Sequence, residues 1–337
     1  MFTNGNDLLM QFENIFVTGG AGYVGAVLVP RLLDEGYRVT VLDLMIYGKN
    51  FLPENPQLKI IKGDIRDQEL LERAMPGHDA VIHLACISND PSFELNPDLG
   101  KSINLDAFRP LVAISRKSGV GRFIYASSSS VYGIKEEKDV HEGMALEPLT
   151  DYSRFKADCE QILLEYQMAD FTVVTIRPAT VCGYSPRQRL DVVVNILTNL
   201  AYHNRQITVF GGEQLRPNIH IHDMVESYLA LLNATRQQVA GKIYNVGYEN
   251  QPVRVLAETV RDVVGEDVQL ITTPTDDNRS YHISSQKILA DLGFAARHTI
   301  RDAVEDLLTA FQQGHLPNSL EDETYFNIRR MQSLNLQ

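Results

Sequence analysis

The chain has 337 residues, of which 43 are acidic and 31 are Lys or Arg, for a formal net charge of −12 with histidines neutral. That balance repels nucleic acid and anionic membranes in bulk while leaving room for a local cationic pocket. No apolar run reaches the ~18 residues of a membrane span, and Cys86, Cys159 and Cys182 form neither a CxxC pair nor a disulfide framework. The polar start, Met1–Asn14, does not read as a secretory signal, so a reducing, cytoplasmic setting is expected.

In chain order, Asn14–Thr18 reads as a short apolar strand. The turn GGAGYVG follows over Gly19–Gly25, then a helical pattern stops at Gly36 and is expected to kink at Pro30. Strands are expected at Arg38–Leu42, Leu58–Lys62, Ala80–Leu84, Arg122–Ala126 and Phe171–Ile176. Helices are expected at Asp67–Met75, Asn104–Gly119 and Tyr152–Met168. This alternation predicts an α/β fold, a parallel sheet with helices on both faces and right-handed crossovers.

Past Arg177 the rhythm breaks. Helices are expected at Asp191–Ala201, Asp223–Ala234, Val253–Val264, Ser284–Leu292 and Thr299–Phe311, with strands at Ile207–Phe210 and Lys242–Val246. From His315 the chain is polar and shows no strong period. The pattern divides the chain into a sheet domain, 13–181 plus about 218–248, and a smaller lobe, 182–217 plus 249–315. Residues 1–12 and 316–337 are expected to be terminal extensions.

The turn and its acidic partner indicate a Rossmann-type site. Gly19, Gly22, Tyr23, Val24 and Gly25 place side-chain-free backbone and a helix N-terminus where a pyrophosphate can approach. Asp43, ending the second strand, can accept hydrogen bonds from ribose hydroxyls and would repel a 2′-phosphate, which favours NAD over NADP. Lys49, in the following loop, could reach back and soften that preference. Asp64 and Ile65 fit an adenine-side contact or a loop cap. Leu84, Ala85 and Cys86 follow the fourth strand and would lie beside the middle of the cofactor. Cys86 reads as a small buried residue rather than a nucleophile.

Tyr152 and Lys156 stand four apart on one helix face. A lysine cation lowers the cost of phenolate, so the tyrosine can act as a base, and the lysine can also hold a cofactor ribose. The run Ser127–Ser130 ends a strand where a hydroxyl can hold a substrate oxygen. Ser88 and Asn89 lie in a loop that either touches substrate or forms a capped turn. Tyr184–Arg189 carries two further arginines, one of which could reach a diphosphate or sugar. His220 and His222 share a strand face without a third metal ligand at suitable spacing, so no metal is expected.

Together GGAGYVG, Asp43, Asp64-Ile65, His83-Leu84-Ala85, SSSSVYG, YSRFK and RPATVCG make the chain resemble the extended short-chain dehydrogenase/reductase family, in its nucleotide-sugar branch. The resemblance runs from about Ile15 to Phe311. It implies catalytic roles for Ser128, Tyr152 and Lys156, and cofactor-side roles for Asn104, Arg177 and Pro178. It implies a nucleotide-diphosphate sugar as substrate, held by Asn195, Arg216 and Arg279 beside Ser128, and NAD as cofactor. It also implies a homodimer formed through helices that include the Tyr152–Lys156 helix.

Members of that branch that dehydrate a hexose carry Asp-Glu after the catalytic hydroxyl residue. Here Ser129 and Ser130 stand instead, and a hydroxyl cannot replace a carboxylate as proton acceptor near neutral pH. The implied activity is oxidation at C4, as a 4-epimerase or 4-dehydrogenase. The alternatives are a 4-ketosugar reductase and, in another class, a non-catalytic cofactor-binding regulator or scaffold.

Overall fold

The computed structural model describes residues 12–48, 50–88, 90–137, 139–275, 280 and 282–336. Twelve strands are present among them: β1 Asn14–Thr18, β2 Arg38–Asp43, β3 Leu58–Lys62, β4 Ala80–His83, β5 Arg122–Ala126, β6 Thr172–Pro178, β7 Thr180–Cys182, β8 Gln206–Phe210, β9 Leu215–His220, β10 Lys242–Val246, β11 Glu249–Pro252 and β12 Gln269–Thr273. Seven form one sheet in the order β3-β2-β1-β4-β5-β6-β10. Every pairing in it is parallel.

The inner strands are apolar along their length because helices cover both faces, and Ile15, Phe16 and Val17 of β1 are fully buried. β3 is an edge strand and exposes Lys59 and Lys62, which discourages edge-to-edge pairing. Strand order reverses between β1 and β4, so a crevice opens beyond their carboxyl ends.

The first helix runs from Gly25 to Asp34 with Pro30 inside it. Its buried face of Leu28, Val29, Leu32 and Leu33 outweighs the hydrogen bond that proline removes. The helix expected at Asn104–Gly119 is a short π-helical turn, Ser102–Asp106, followed by an α-helix, Phe108–Lys117. The Ser284–Leu292 helix begins only at Gln286, because Ser284 N–H bonds the Val140 carbonyl.

After β6 the chain leaves the sheet, builds part of a second layer and returns as β10. In that layer β9 pairs with β7 in parallel and with β11 antiparallel, while β8 pairs with β12. Helices Val193–Asn204, Val253–Val264 and Ile300–Gln312 pack around a separate core that includes Leu197, Leu256 and Val304. Arg122 ties the sheet to helix Ile221–Asn233. Fully buried, it donates through Nη1 to the carbonyls of Leu231, Leu232 and Ala234 at 2.8, 2.8 and 2.9 Å, capping the helix's C-terminal end.

The polar tail is ordered. A 3-10 turn, Glu323–Tyr325, leads into a helix, Asn327–Leu334, that packs Met331 into the core of Phe93 and Leu99. Its docking depends on contacts distant in sequence, which is why no local period announces it.

Candidate active site

One cleft of about 520 Å³ lies over the crevice between β1 and β4. Gly19, Gly22, Tyr23, Val24, Gly25, Asp43, Asp64, Ile65, Leu84, Ala85, Cys86, Ser88, Ser128, Tyr152, Lys156, Pro178 and Arg216 all line it. Asn89, Arg279 and Lys49 lie outside the described residues.

The glycine turn is shaped by close backbone approach. Gly19 has φ +72°, and a Cβ there would sit 2.6 Å from the Ala85 nitrogen. Asp43 holds the turn in place, accepting from Ala21 N–H at 3.0 Å and from Met45 N–H at 2.7 Å. Burial pushes its carboxyl up, against the two backbone donors and the nearby Arg187 cation. At Asp64 burial also acts upward, but the hydrogen bonds and charge of Arg66 prevail and hold the carboxyl below its ordinary range. A bare turn, a helix N-terminus and an acid at the second strand's end fit a dinucleotide: backbone N–H for its diphosphate, Asp43 for a ribose.

Tyr23 joins this turn to the second layer. Its hydroxyl donates to the Gly183 carbonyl at 2.7 Å and accepts from Asn195 Nδ2 at 3.0 Å, while its carbonyl accepts from Ser185 Oγ at 2.8 Å. Asn195 therefore does not line the cleft. It is buried and also accepts from Gly183 N–H, so it positions the loop after β7. Asn104 is likewise off the cleft, bridging Ile87 N–H and the Ile87 carbonyl at 2.8 and 2.9 Å. Arg177 turns away to pair with buried Glu160 at 2.5 Å and to bond the Tyr132 hydroxyl.

At the reactive end, helix Asp151–Glu165 places Tyr152 and Lys156 on one face. The buried Lys156 donates from Nζ to the Ala126 carbonyl at 2.7 Å, and Nζ lies 5.9 Å from the centre of the Tyr152 ring. Burial pushes the Tyr152 phenol up. The negative character of Cys86 and Asp90 adds to this, while the Arg189 cation and a hydrogen bond with Ser128 pull it down. This is a tyrosine beside a serine, with a lysine fixed at the end of β5.

Several lining residues carried no decisive signal. Arg187 is buried, stacks 3.5 Å from the centre of the Tyr47 ring and donates to Asn327 Oδ1 at 2.8 Å. Burial lowers its pKa to about 10. Arg189 pairs with Asp191 at 2.8 Å and reaches Ser88 Oγ at 3.3 Å. Arg187 Nε and Nη1 and Arg189 Nη2 are buried without a partner among the described residues. Such orphan guanidinium N–H groups suit phosphate oxygens. The arginine-bearing segment is visible in sequence, but Tyr47, Asp191, Asn327 and Met331 are not.

Asn327 acts as a keystone over the cleft. Its Oδ1 accepts from Tyr47 and Arg187, its Nδ2 donates to Ser88 Oγ at 2.9 Å and its backbone N–H donates to Asp191 at 2.8 Å.

A model of the NAD dependent epimerase/dehydratase family matches residues 15–247. A dTDP-glucose 4,6-dehydratase of Actinoplanes sp. is 27% identical over 316 residues, covering 88% of this chain and 97% of the relative. A probable UDP-arabinose 4-epimerase of Oryza sativa subsp. japonica is also 27% identical, covering 88% and 78%. Among solved structures, a UDP-glucose 4-epimerase of Thermus thermophilus in complex with NAD superposes with a TM-score of 0.78 at 26% identity, covering 88% of this chain and 99% of that one.

Proposed function

The chain belongs to the NAD-dependent epimerase/dehydratase family, and from that premise we propose that it oxidises the C4 hydroxyl of a nucleotide-activated sugar. The observation that carries this is one cleft holding Ser128, Tyr152 and Lys156 beside the glycine turn and Asp43, under Arg187, Arg189 and Arg216. NAD⁺, when bound, supplies the hydride acceptor. Ser128 and Tyr152 hold the reacting hydroxyl, and Tyr152 takes its proton as hydride leaves the carbon. Lys156 fixes the charge beside the phenol and offers its remaining donors to a ribose. The arginines hold diphosphate oxygens.

Relatives named for UDP- and dTDP-sugars support that substrate class. Dehydration like that named for the Actinoplanes relative is disfavoured, because Ser129 and Ser130 put hydroxyls where that chemistry needs carboxylates.

The test is a panel of UDP- and dTDP-sugars added to NAD⁺-loaded protein, read by NADH absorbance and by mass spectrometry of the sugar. Wild type reduces the cofactor with one panel member. Tyr152→Phe is expected to slow that step about 10²- to 10⁴-fold. Undiminished reduction in this variant would overturn the assignment.

Two coarser readings accompany this one. A homodimer is supported by Leu164 and Met168, both more than two-fifths exposed at the end of the Tyr152–Lys156 helix, whereas Leu163 is buried in its own core. Sedimentation velocity tests it. A cytoplasmic setting is supported by three cysteines without a disulfide. No helix among the described residues is long and apolar enough to cross a membrane.

A further inference from the structure

One buried ion pair holds both ends of the segment that carries Ser128. Glu160 lies on helix Asp151–Glu165, one turn beyond Lys156 and two beyond Tyr152, so the three side chains share a face. Its carboxylate is fully buried and faces Arg177 on β6. Oε1 accepts from Arg177 Nε at 2.9 Å and Oε2 from Arg177 Nη2 at 2.5 Å, a two-pronged contact that fixes direction as well as distance. Oε1 also accepts from Ser127 Oγ at 2.5 Å. The remaining arm of the guanidinium, Nη1, donates to the Tyr132 hydroxyl at 2.7 Å. Tyr132 donates in turn to Asn245 Oδ1 at 2.7 Å, on β10.

Ser127 and Tyr132 bracket the catalytic serine. Ser128 caps the 3-10 turn Ser129–Tyr132, which Tyr132 closes. The near end is also tied to the sheet, because Ser127 N–H donates to the Ile176 carbonyl at 2.8 Å. From the helix, Lys156 Nζ donates to the Ala126 carbonyl. The segment around Ser128 is therefore anchored by the helix that carries Tyr152 and by β6. Neither Glu160 nor Arg177 lines the cleft. A buried ion pair adds little net stability over apolar packing of the same volume. What it adds here is orientation, since the planar fork matches its carboxylate in one registry of helix and strand.

We propose that Glu160 and Arg177 are positioning residues that set the spacing between the Ser128 hydroxyl and the Tyr152 phenol. This rests on the reading of those two groups as the pair that holds the reacting hydroxyl. Ser128 follows β5 and Tyr152 stands on the helix, so a substrate oxygen meets both only while the two elements keep one registry. A misplacement of about 1 Å at a reacting centre costs about 100-fold in rate. The groups assigned to the cofactor and to the substrate's diphosphate stand elsewhere, on the glycine turn, the Arg187–Arg189 segment and β9. Loss of the clamp therefore lowers kcat and spares KM.

The test uses the full NAD⁺-loaded chain and the nucleotide sugar that reduces its cofactor in the panel above. Stopped-flow records NADH formation, and thermal melts are read beside it. Tyr132→Phe frees the far end of the segment and leaves the ion pair intact. It is expected to slow NADH formation about ten-fold, with KM for the sugar within about two-fold of wild type. Glu160→Leu together with Arg177→Met removes both charges at once, so no unpaired charge stays buried. That double variant is expected to melt close to wild type and to form NADH about 100-fold more slowly, again at unchanged KM. Tyr132→Phe carries the test even where the double variant folds poorly. Wild-type rates in Tyr132→Phe would overturn the clamp, as would a slowing matched by a rise in KM. Undiminished NADH formation in Tyr152→Phe would instead overturn the base assignment, so the two failures are told apart.

Discussion

Asp43 spends both carboxylate oxygens on the backbone of its own site. Both oxygens already accept from main-chain N–H groups, at Ala21 and Met45. The acid thus shapes the glycine turn. In Asp43→Asn one of those donors loses its acceptor and the site loses a negative charge. Charge-assisted bonds of this kind are worth about 1.5–3 kcal/mol. NAD affinity is therefore expected to fall about ten-fold or more while discrimination against NADP narrows, as titration calorimetry of the cofactor-free protein would measure. Asp43 was legible because glycine turn, strand and acid recur at short range. Asn104, Arg177 and Asn195 were placed in the right neighbourhood, but spacing does not reveal which way a side chain turns. Each bonds to protein and supports the cleft from behind.

Elements with their own hydrophobic period were the most readable. Helix Val253–Val264 agrees with its expectation residue for residue, and β1, β3 and β5 do likewise. The helix Asn327–Leu334 was not readable, because what holds it lies far away in sequence. The Tyr47–Asn327 bond spans 280 residues. This helix reaches the cleft with Asn327 and Met331. Asn327→Ala removes the acceptor shared by Tyr47 and Arg187 and the donor to Ser88. Losing charge-assisted and neutral bonds together is expected to speed NAD release about ten- to a hundred-fold. Retention of NAD through gel filtration measures this, with circular dichroism checking that the sheet persists.

Across the whole molecule, the site is built on the midline of the sheet, where β1 and β4 meet. His83 on β4 shares a 2.7 Å hydrogen bond with Thr18 on β1, and stacks 5.8 Å from Tyr125. Burial lowers its pKa to about 3, with the Lys156 cation acting the same way. The unfolded chain therefore binds a proton near pH 6.5 that the folded chain refuses until about pH 3. The stability this neutral histidine supports is full above pH 6.5 and is lost as pH falls toward 3. The slope from this one group is at most about 1.4 kcal/mol per pH unit. Urea midpoints across that window are expected to fall with pH, and to fall less steeply in His83→Gln.

The roof over the crevice carries a consequence for the protein's lifetime. Asn327, Arg187, Tyr47 and Ser88 meet at the cleft from segments distant in sequence, so a dinucleotide held against them favours the docked tail. Docking of the tail and binding of the cofactor then each favour the other. Molecules deprived of dinucleotide spend longer with the last helix undocked, where proteases reach it. The abundance of this protein in a cell would then follow the supply of its cofactor as well as the rate of its synthesis.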